Sequence, residues 1–472
     1  MKKLPANWTT AGIEEALLPF GNGQTLRQGW SPQCERFAAE TEDDWGVLKT
    51  TAIQDGEFQP EHNKRLPSAL EPDPLLEVQE GDLLLTCAGP RVRCGVICLV
   101  RETRRRLMVS GKMYRFRTDP RIALATYLEA FLRSHDTKKR IDEMKTGISD
   151  SGLNLTLSRF KTLQVPLPPL PEQRRIVAKI EELFSELDEG IENLKRAREQ
   201  LAVYRQALLK HAFEGKLTAD WRAAHGKDSS SWSEVAVGDI LIGKPTNGRS
   251  VPDRTGGFKV LRLTSIKNGY IDLTQNKEGA WSEAEAADQV LHRGDFLISR
   301  GNGSLHLVGK GGLVLSDDRV AYPDTMVRMN VNPSAYDQRL FCYFWNSASF
   351  RHQIESSART TAGIYKINQA LLMAYRFPLM PLAEQRVIVE ILDSQIPALD
   401  SLESDIDANL QKAEALRQSI LKKAFAGELV SQDPADEPAA DLLARIRAER
   451  AAASSAKPVR TRGRPSASAP SA

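Results

Sequence analysis

The sequence predicts a mixed α/β protein made of two tandem copies of one unit, with two long helices packed as an antiparallel coiled coil. Three observations support this fold class: an internal repeat, apolar strand-like runs that alternate with helical stretches, and two apolar heptad patterns. The length of 472 residues favours about three domains, and 41% hydrophobic with 26% charged residues is typical of a globular protein.

The first 165 residues are predicted to form a mixed α/β globular domain. Apolar runs at 82–86 and 94–100 predict strands, and residues 122–134 predict a helix. Residues 166–217 follow as a central helix, because a proline-rich stretch ends the preceding chain and Glu172-Gln173-Arg174 then opens a helical pattern. The helix should run for about forty residues.

A linker at 218–232 leads to a second globular domain at 233–377, with strands predicted at 259–265, 295–299 and 326–331 and a helical stretch at 339–356. A distal helix at 378–430 follows. Beyond it, residues 431–472 are rich in Ala, Pro, Ser and charge, which predicts a disordered tail.

Both helices carry an apolar residue every seven positions, the period of a coiled-coil seam. We expect the two stripes to pack on each other, which would relate the two units by a pseudo-twofold axis. Tyr204, Leu402 and Leu416 are predicted at intervening seam positions. The main seam residues are Ile180, Leu187, Leu194, Leu201 and Leu208 in the first helix and Leu392, Leu399, Ile406, Ala413 and Ile420 in the second. A simple domain-joining coil is the alternative interpretation.

The repeat is closest in the helical segments, where residues 166–217 match 378–429 without gaps. It extends upstream into the globular parts, where Gly81-Asp82 pairs with Gly294-Asp295 and Lys49 lies opposite Arg262. The globular parts have diverged far more than the helices. This contrast indicates a variable task carried on a fixed frame.

Local charge points to nucleic acid, although the net charge of the whole chain is only +3. Ten Lys or Arg lie between residues 91 and 121 against two acids, and a second basic set lies between residues 244 and 267. Such patches bind phosphate backbones, and an arginine or asparagine can also recognise base edges. A solvated basic face without a partner is the alternative. The candidate DNA contacts are Lys49, Arg91, Arg93, Arg104, Arg105, Arg106, Lys112, Arg115, Lys244, Arg249, Arg254, Arg262, Lys267, Arg300 and Asn302.

Several classes of function are not supported by any motif. The Gly-rich segments match neither GxGxxG nor GxxxxGK[ST], there is no GxSxG elbow, and the histidines form no metal-binding pattern, so neither catalysis nor a metal site is predicted. No apolar run is long enough to span a membrane, and five cysteines without a CxxC pair suit reduced thiols in the cytoplasm.

The motif Pro-Leu-Pro-Pro-Leu-Pro-Glu-Gln-Arg-Arg-Ile-Val at 166–177, its repeat at 378–389 and the Ala-Phe-x-Gly-x-Leu helix ends resemble the specificity subunits of type I restriction-modification enzymes. The segment from Gly29 to Cys34 resembles a further motif of that family. The resemblance implies two target-recognition domains, each recognising half of a bipartite asymmetric DNA site, with helices that set the spacer. It also implies two methyltransferase subunits and restriction subunits as partners. S-adenosylmethionine, ATP and Mg are expected in those partners and not in this chain.

A stand-alone nucleic-acid-modifying enzyme with two recognition domains is the alternative function, and a coiled-coil adaptor without a DNA role is a third. At the end of the chain, Arg462-Gly463-Arg464-Pro465 resembles a hook that inserts arginines into the minor groove. A solubilising end is the competing interpretation of that segment.

Overall fold

The computed structural model describes residues 4–21, 23–228, 232–267, 269–361 and 363–455. The chain divides into two compact units. Unit 1 comprises Met1–Glu192 and Leu410–Ala472, and unit 2 comprises Asn193–Asn409. Each unit contains one globular part and portions of both long helices.

The globular part of unit 1 is built around a four-stranded antiparallel sheet. The strands of this globular part are β1 (Thr9–Gly12), β2 (Leu26–Gln28), β3 (Gly46–Leu48), β4 (Asn63–Arg65), β5 (Leu83–Thr86), β6 (Ala88–Gly89), β7 (Ile97–Leu99), β8 (Leu107–Met108), β9 (Met113–Phe116), β10 (Leu153–Asn154) and β11 (Gln164–Leu167). The central order is β2-β9-β5-β7, and β5 and β9 are buried along their whole length. β1 pairs antiparallel with β11, so the first and last strands of the globular part lie together.

Three short helices cover this sheet: α1 (Ala125–Arg133), α2 (His135–Met144) and α3 (Leu157–Lys161). The helix predicted at 122–134 is therefore present as α1. Ser134 separates α1 from α2, because its hydroxyl donates to the carbonyl of Phe131 (2.8 Å) and accepts from the amide of Thr137. A hydroxyl that bonds the backbone in this way ends one helix and caps the next.

Unit 2 repeats this plan with a five-stranded sheet in the order β13-β20-β17-β19-β15. The strands of unit 2 are β12 (Ser233–Ala236), β13 (Thr246–Asn247), β14 (Asp253–Leu261), β15 (Gly269–Tyr270), β16 (Asn276–Gly279), β17 (Phe296–Ser299), β18 (Gly301–Asn302), β19 (Gly311–Leu313), β20 (Met326–Met329), β21 (Arg359–Thr361), β22 (Ile364–Lys366) and β23 (Arg376–Leu379). β12 pairs antiparallel with β23, as β1 does with β11. The predicted mixed α/β class is confirmed in both units.

The helices of unit 2 differ from the prediction in the linker and at residues 339–356. They are α5 (Ala219–Ala224), which lies within the predicted linker, α6 (Glu283–Ala286), α7 (Gln338–Trp345), α8 (Ala348–Ser357) and α9 (Gln369–Ala374). The stretch at 339–356 was predicted as one helix and is two. The Asn346 amide donates to the Cys342 carbonyl (3.0 Å), and the Ser347 hydroxyl donates to the carbonyl of Phe344 (2.7 Å). These side chains compete with the helical backbone for hydrogen bonds.

The two long helices are α4 (Leu170–Phe213) and α10 (Leu382–Phe425), each of 44 residues. Within unit 1 the start of α4 packs against the end of α10, where Ile180 shares a cluster with Ile420 and Leu421. Within unit 2 the end of α4 packs against the start of α10, where Leu208 shares a core with Leu392. The packing is antiparallel in each unit, as predicted. The pseudo-twofold axis stays a prediction.

The apolar seam is narrower than its sequence pattern. Six of the predicted seam residues are buried, namely Ile180, Leu208, Leu392, Leu399, Ile406 and Ile420, and Leu187, Leu194, Leu201 and Ala413 are half-buried. The prediction that the intervening positions also belong to the seam is wrong for Tyr204, Leu402 and Leu416, because each of these side chains is more than half exposed. Two helices cover only a narrow stripe of each other, so the second apolar row remains in contact with solvent.

A further helix, α11 (Ala439–Ser455), occupies part of the tail that was predicted to be disordered. It folds because Leu443 and Ile446 are buried in the core of unit 1. The Arg450 guanidinium binds Asp119 (2.8 Å) and donates to the Glu15 carbonyl (2.9 Å). An alanine-rich sequence is also a strong helix former. The predicted arginine hook at 462–465 lies outside the described residues.

Candidate nucleic-acid interface

In unit 1, two buried side chains at the start of α4 attach the globular part to the helix. The Glu172 carboxylate accepts a hydrogen bond from the Trp8 indole (2.9 Å). The Gln173 amide donates to the carbonyl of Ile122 (2.9 Å) and accepts from the amide of Leu124 (2.9 Å). Both side chains are fully buried. The junction is thereby fixed by specific polar contacts as well as by apolar packing.

Unit 2 repeats this junction with the equivalent residues. The Glu384 carboxylate accepts from the Trp232 indole (2.9 Å), and Gln385 accepts from the amide of Asp337 (2.7 Å) and donates to the carbonyl of Met380 (2.8 Å). The repeated Glu-Gln motif is visible in the sequence, but its role at the junction is not. The two tryptophans that precede the first strand of each unit were the signal that could have found it.

The buried glutamates differ in what else they contact. Glu384 binds the guanidinium of Arg222 (2.5 Å) and accepts from the hydroxyl of Thr218 (2.7 Å), so its charge is paired. Glu172 instead accepts from the amides of Gln432 (3.0 Å) and Asn7 (3.3 Å), which carry no charge. Burial raises the pKa of Glu172, and the hydrogen bonds from Trp8 and Asn7 partly oppose that shift.

The repeated Gly-Asp pair forms a second constant feature. Asp82 is fully buried and binds the guanidinium of Arg115 (2.6 Å), which is 5% exposed. In unit 2, Asp295 lies 3.6 Å from Arg328, the residue of β20 that occupies the position of Arg115 in β9. The burial of Arg115 does not favour its predicted DNA contact. Its charge forms an ion pair with Asp82 inside the core. The occurrence of an arginine at the equivalent position of both repeats, Arg115 and Arg328, was the sequence signal for this internal role.

Most of the basic run in unit 1 also holds the fold together. The half-buried Arg93 donates to the carbonyl of Ile53 (2.7 Å) and to Gln54 (3.1 Å). Arg104 donates to the carbonyls of Ala39 (3.0 Å) and Thr41 (3.2 Å), and burial lowers its pKa. Both guanidiniums fasten one loop to another, so their hydrogen-bonding groups are engaged within the fold.

Two further arginines of the run are paired with acids, and of these Arg91 is exposed and Arg106 is half-buried. Arg91 forms ion pairs with Asp142 (2.5 Å) and Asp150 (3.0 Å). Arg106 has a positive φ of 61° and lies 3.3 Å from the carboxylate of Asp43. Their charge is partly offset by these acids. The sequence pattern could not separate such internal pairs from a free basic face, because each acid is distant in the chain.

Besides Arg91, three predicted contacts of unit 1 are exposed: Lys49, Arg105 and Lys112. Lys49 precedes a 3-10 turn (Thr50–Ala52), and its amide donates to the carbonyl of His62 (2.9 Å). Arg262 precedes the matching turn in unit 2, with its amide bonded to the carbonyl of Gln275 (2.9 Å). The two basic side chains are exposed at equivalent turns, as the repeat predicted.

Unit 2 also exposes four of its predicted contacts. Lys244, Arg249, Arg254 and Arg262 are all exposed. Arg254 lies where the pairing of β14 with β16 is interrupted, between Asp253 and Phe258. An interruption of this kind bends the strand and presents its side chains outward. Of the predicted contacts, these side chains best fit the phosphate backbone of DNA.

A pair of equivalent glycines marks a position where the units differ. A Cβ on Gly29 would lie 2.1 Å from the carbonyl oxygen of Val109, and one on Gly248 would lie 2.1 Å from that of Pro323. The next residue is Trp30 in unit 1, which is 38% exposed, and Arg249 in unit 2, whose guanidinium lies 5.0 Å from the Trp281 ring. The backbone is fixed at both places while the side chain changes chemistry.

The remaining candidates are less exposed. Lys267, Arg300 and Asn302 are half-buried. Asn302 lies in β18, and its side-chain oxygen accepts from the amide of Ser304 (3.0 Å), so this oxygen holds the turn. Within the described residues no group of three His, Cys, Asp or Glu side chains could hold a metal ion, and no helix there is long and apolar enough to cross a membrane.

Comparison with known proteins identifies relatives along nearly the whole chain. Residues 62–196 match the family model described as the type I restriction modification DNA specificity domain. Over 470 residues the chain is 27% identical to the specificity subunit of the type I restriction enzyme EcoKI of Escherichia coli (strain K12), covering 96% of this chain and 98% of that protein. It is 26% identical over 465 residues to the StySPI specificity subunit of Salmonella potsdam, covering 95% and 96%.

A solved structure has the same fold. It comes from a study of complex assembly and conformational transition of the type I R-M system, and it superposes with a TM-score of 0.68 at 20% identity. The match covers 91% of this chain and all of the other. The structural likeness at this identity concerns the fold.

Proposed function

We propose that this chain is a type I restriction-modification specificity subunit in which each globular part recognises one half of a bipartite, asymmetric DNA site. In this role it is a non-catalytic recognition subunit. A stand-alone modifying enzyme, the alternative from the sequence, finds no support among the relatives.

The contrast between constant junctions and variable surfaces carries the proposal. Glu172 and Glu384 bind equivalent tryptophans at the same distance of 2.9 Å. By contrast, the exposed residue after the equivalent glycine is Trp30 in one unit and Arg249 in the other. Two units of one fold can recognise different base sequences when they carry different side chains at equivalent places on a constant backbone. Contacts to the phosphates need exposed cations such as Arg254.

We further propose that the long helices set the spacer between the half-sites and dock two methyltransferase subunits, with restriction subunits completing the complex. The exposed apolar residues Val203, Tyr204, Leu402 and Leu416 on these helices support a docking role, because such side chains gain stability when a partner covers them. In this proposal S-adenosylmethionine, ATP and Mg belong to the partner subunits, and the complex acts in the cytoplasm.

Exchange of one globular part tests the assignment of half-sites. Replacing residues 233–377 with the equivalent part of a relative of different specificity should change one half of the methylated sequence and leave the other unchanged. Replacing residues 1–165 should have the reciprocal effect. The readout is methylation-sensitive sequencing of DNA from cells that carry the variant with its partner subunits. A change in both halves after a single exchange would contradict the proposal.

A further inference from the structure

Unit 2 contains a cavity of about 720 Å³ beside the end of α4 and the start of α10. This volume is in the range of about 300–1,000 Å³ that is usual for sites of small organic molecules. Apolar side chains form much of its wall, among them Leu209, Leu313 and Ile396, together with the rings of Tyr270 and Tyr343. Its walls are therefore suited to an apolar or aromatic body.

The corresponding region of unit 1 is filled. Phe184 takes the place of Ile396 in the gapless repeat, and the Arg417 guanidinium lies 4.8 Å from the centre of its ring. Arg133, which precedes the helix-breaking Ser134, takes the place of Asn346. The cavity left there measures about 190 Å³. The larger space in unit 2 thus results from smaller side chains at two repeated positions.

Two cations line the unit 2 cavity without full compensation. The half-buried Lys310 ammonium has no hydrogen-bond or ion-pair partner among the described residues. The Arg351 side chain is 14% exposed and binds Glu355 (3.2 Å), but its Nη1 is buried with no protein partner in that part of the chain. The three acids of the cavity wall are already engaged, since Asp400 (2.5 Å) and Glu403 (3.4 Å) both pair with Arg205 and Asp393 pairs with Arg339 (2.5 Å).

The environment of these cations disfavours their charged forms. Burial lowers the pKa of Lys310, and Arg351 and Lys267 lower it further by repulsion. Burial also lowers the pKa of Arg351. Val96 occupies the position of Lys310 in unit 1, because Gly95 and Gly309 face the equivalent Ile141 and Ile354. A half-buried, unpaired ammonium that replaces an apolar residue indicates a site for an anion.

We propose that this cavity binds a small aromatic phosphate monoester, with the phosphate held by Lys310 and Arg351 and the aromatic body against Tyr270, Tyr343 and Ile396. Lys310 and Arg351 line the cavity, Lys267 is close enough to repel Lys310, and Glu355 offsets only one of these three charges, which matches the double negative charge of a phosphate better than the single charge of a carboxylate. None of the four exposed basic residues of unit 2 that were predicted to contact DNA lines this cavity.

Titration calorimetry of the full-length chain tests this site with three probes: 1-naphthyl phosphate, 1-naphthol and inorganic phosphate. We expect 1-naphthyl phosphate to bind at least about tenfold more tightly than either of the others, since each lacks one half of the recognised molecule. Equal binding of naphthol would overturn the anion site, and equal binding of inorganic phosphate would overturn the apolar one. No binding of the ester would overturn the proposal itself.

Variants taken from the other unit locate the binding. Lys310→Val should weaken binding of 1-naphthyl phosphate about tenfold or more and, without ligand, leave the chain at least as thermally stable, because it removes an unpaired charge. Ile396→Phe should reduce binding by filling the space. Phe184→Leu, at the equivalent position of unit 1, is the matched control and should bind as the unmodified chain does. Unchanged binding in Lys310→Val, the substitution less able to disturb packing, would contradict the assignment.

Discussion

The two buried glutamates at the helix junctions perform the same task with different partners. Glu172 and Glu384 each accept a hydrogen bond of 2.9 Å from a tryptophan indole. Glu384 also binds the buried guanidinium of Arg222 (2.5 Å), whereas Glu172 is completed by the uncharged amides of Gln432 and Asn7. The repeat thus preserves the geometry of the acceptor but not the compensation of its charge.

This difference separates two ways of keeping a carboxylate inside a protein. A buried ion pair is sensitive to loss of either member, because the remaining charge has no water to solvate it. A carboxylate held by neutral donors depends instead on its own ionisation, which burial disfavours. The two units also differ in packing at an equivalent position of the long helices. Unit 1 fills the region beside Phe184, and unit 2 leaves the region beside Ile396 open.

The largest expected effect comes from neutralising the paired glutamate. Glu384→Gln should destabilise unit 2 by about 3–5 kcal/mol, because Arg222 would remain buried without a counter-charge. Glu172→Gln should cost about 1 kcal/mol or less, since it removes no ion pair of that carboxylate. Urea unfolding gives the free energies, and hydrogen exchange of the segments at 217–225 and 427–436 assigns them to a unit. Equal costs for the two variants would show that Arg222 does not distinguish the junctions.

The second effect concerns α11, which packs on unit 1, whereas the short α5 follows α4 in the other copy. Leu443→Ala should destabilise unit 1 by about 2–3 kcal/mol, because a 3% exposed leucine in the core would leave a cavity. Leu442→Ala, at a half-buried neighbour, is the control and should cost less. Hydrogen exchange should rise in β1 and α1, and an equal rise throughout β17 and β20 would contradict a role confined to unit 1.

A smaller effect is a pH dependence that only one junction should show. Burial raises the pKa of Glu172 in the folded chain above its unfolded value near 4.5, so folding holds this proton more tightly. The stabilising contribution is complete below the unfolded pKa and is lost as pH rises through the raised folded pKa. Glu172→Gln should therefore lack this loss, and its urea midpoint should fall less than that of the unmodified chain between about pH 4 and 7. Parallel pH profiles would argue against the raised pKa.

The smallest effect is a change in the salt dependence of DNA binding, which separates a surface arginine from an internal one. In the assembled complex, Arg254→Gln should weaken DNA binding similarly at all sequences and reduce the slope of log affinity against log salt by about one, with stability unchanged. Arg115→Gln should instead lower stability by about 2 kcal/mol through loss of its bond to Asp82. Fluorescence anisotropy over a salt series measures the first effect and urea unfolding the second. A reduced salt slope in folded Arg115→Gln would contradict its internal role.

The sequence alone determined the features that are periodic or repeated. A 3.5-residue pattern requires a long helix that buries one stripe, and both helices are present with 44 residues each. The Glu-Gln motif was visible because it occurs twice at one offset, as was the equivalence of Lys49 with Arg262. Local sequence signals did not predict the break in the helix at 339–356, where side-chain contacts of Asn346 and Ser347 divide it. They also did not predict α11, because this helix folds against core residues that are far away in the chain.

Only the tertiary structure decided which charges are free and which are internal. Arg93, Arg104 and Arg115 read as a basic surface in sequence, yet their partners lie about 30 to 65 residues away and become neighbours only when the sheet forms. The same holds for Arg222 and Glu384, which are 162 positions apart. Helical periodicity is a local property of the backbone, whereas electrostatic compensation is a property of distance in space. A linear pattern of charge therefore identifies candidate residues, and packing decides which of them reach the surface.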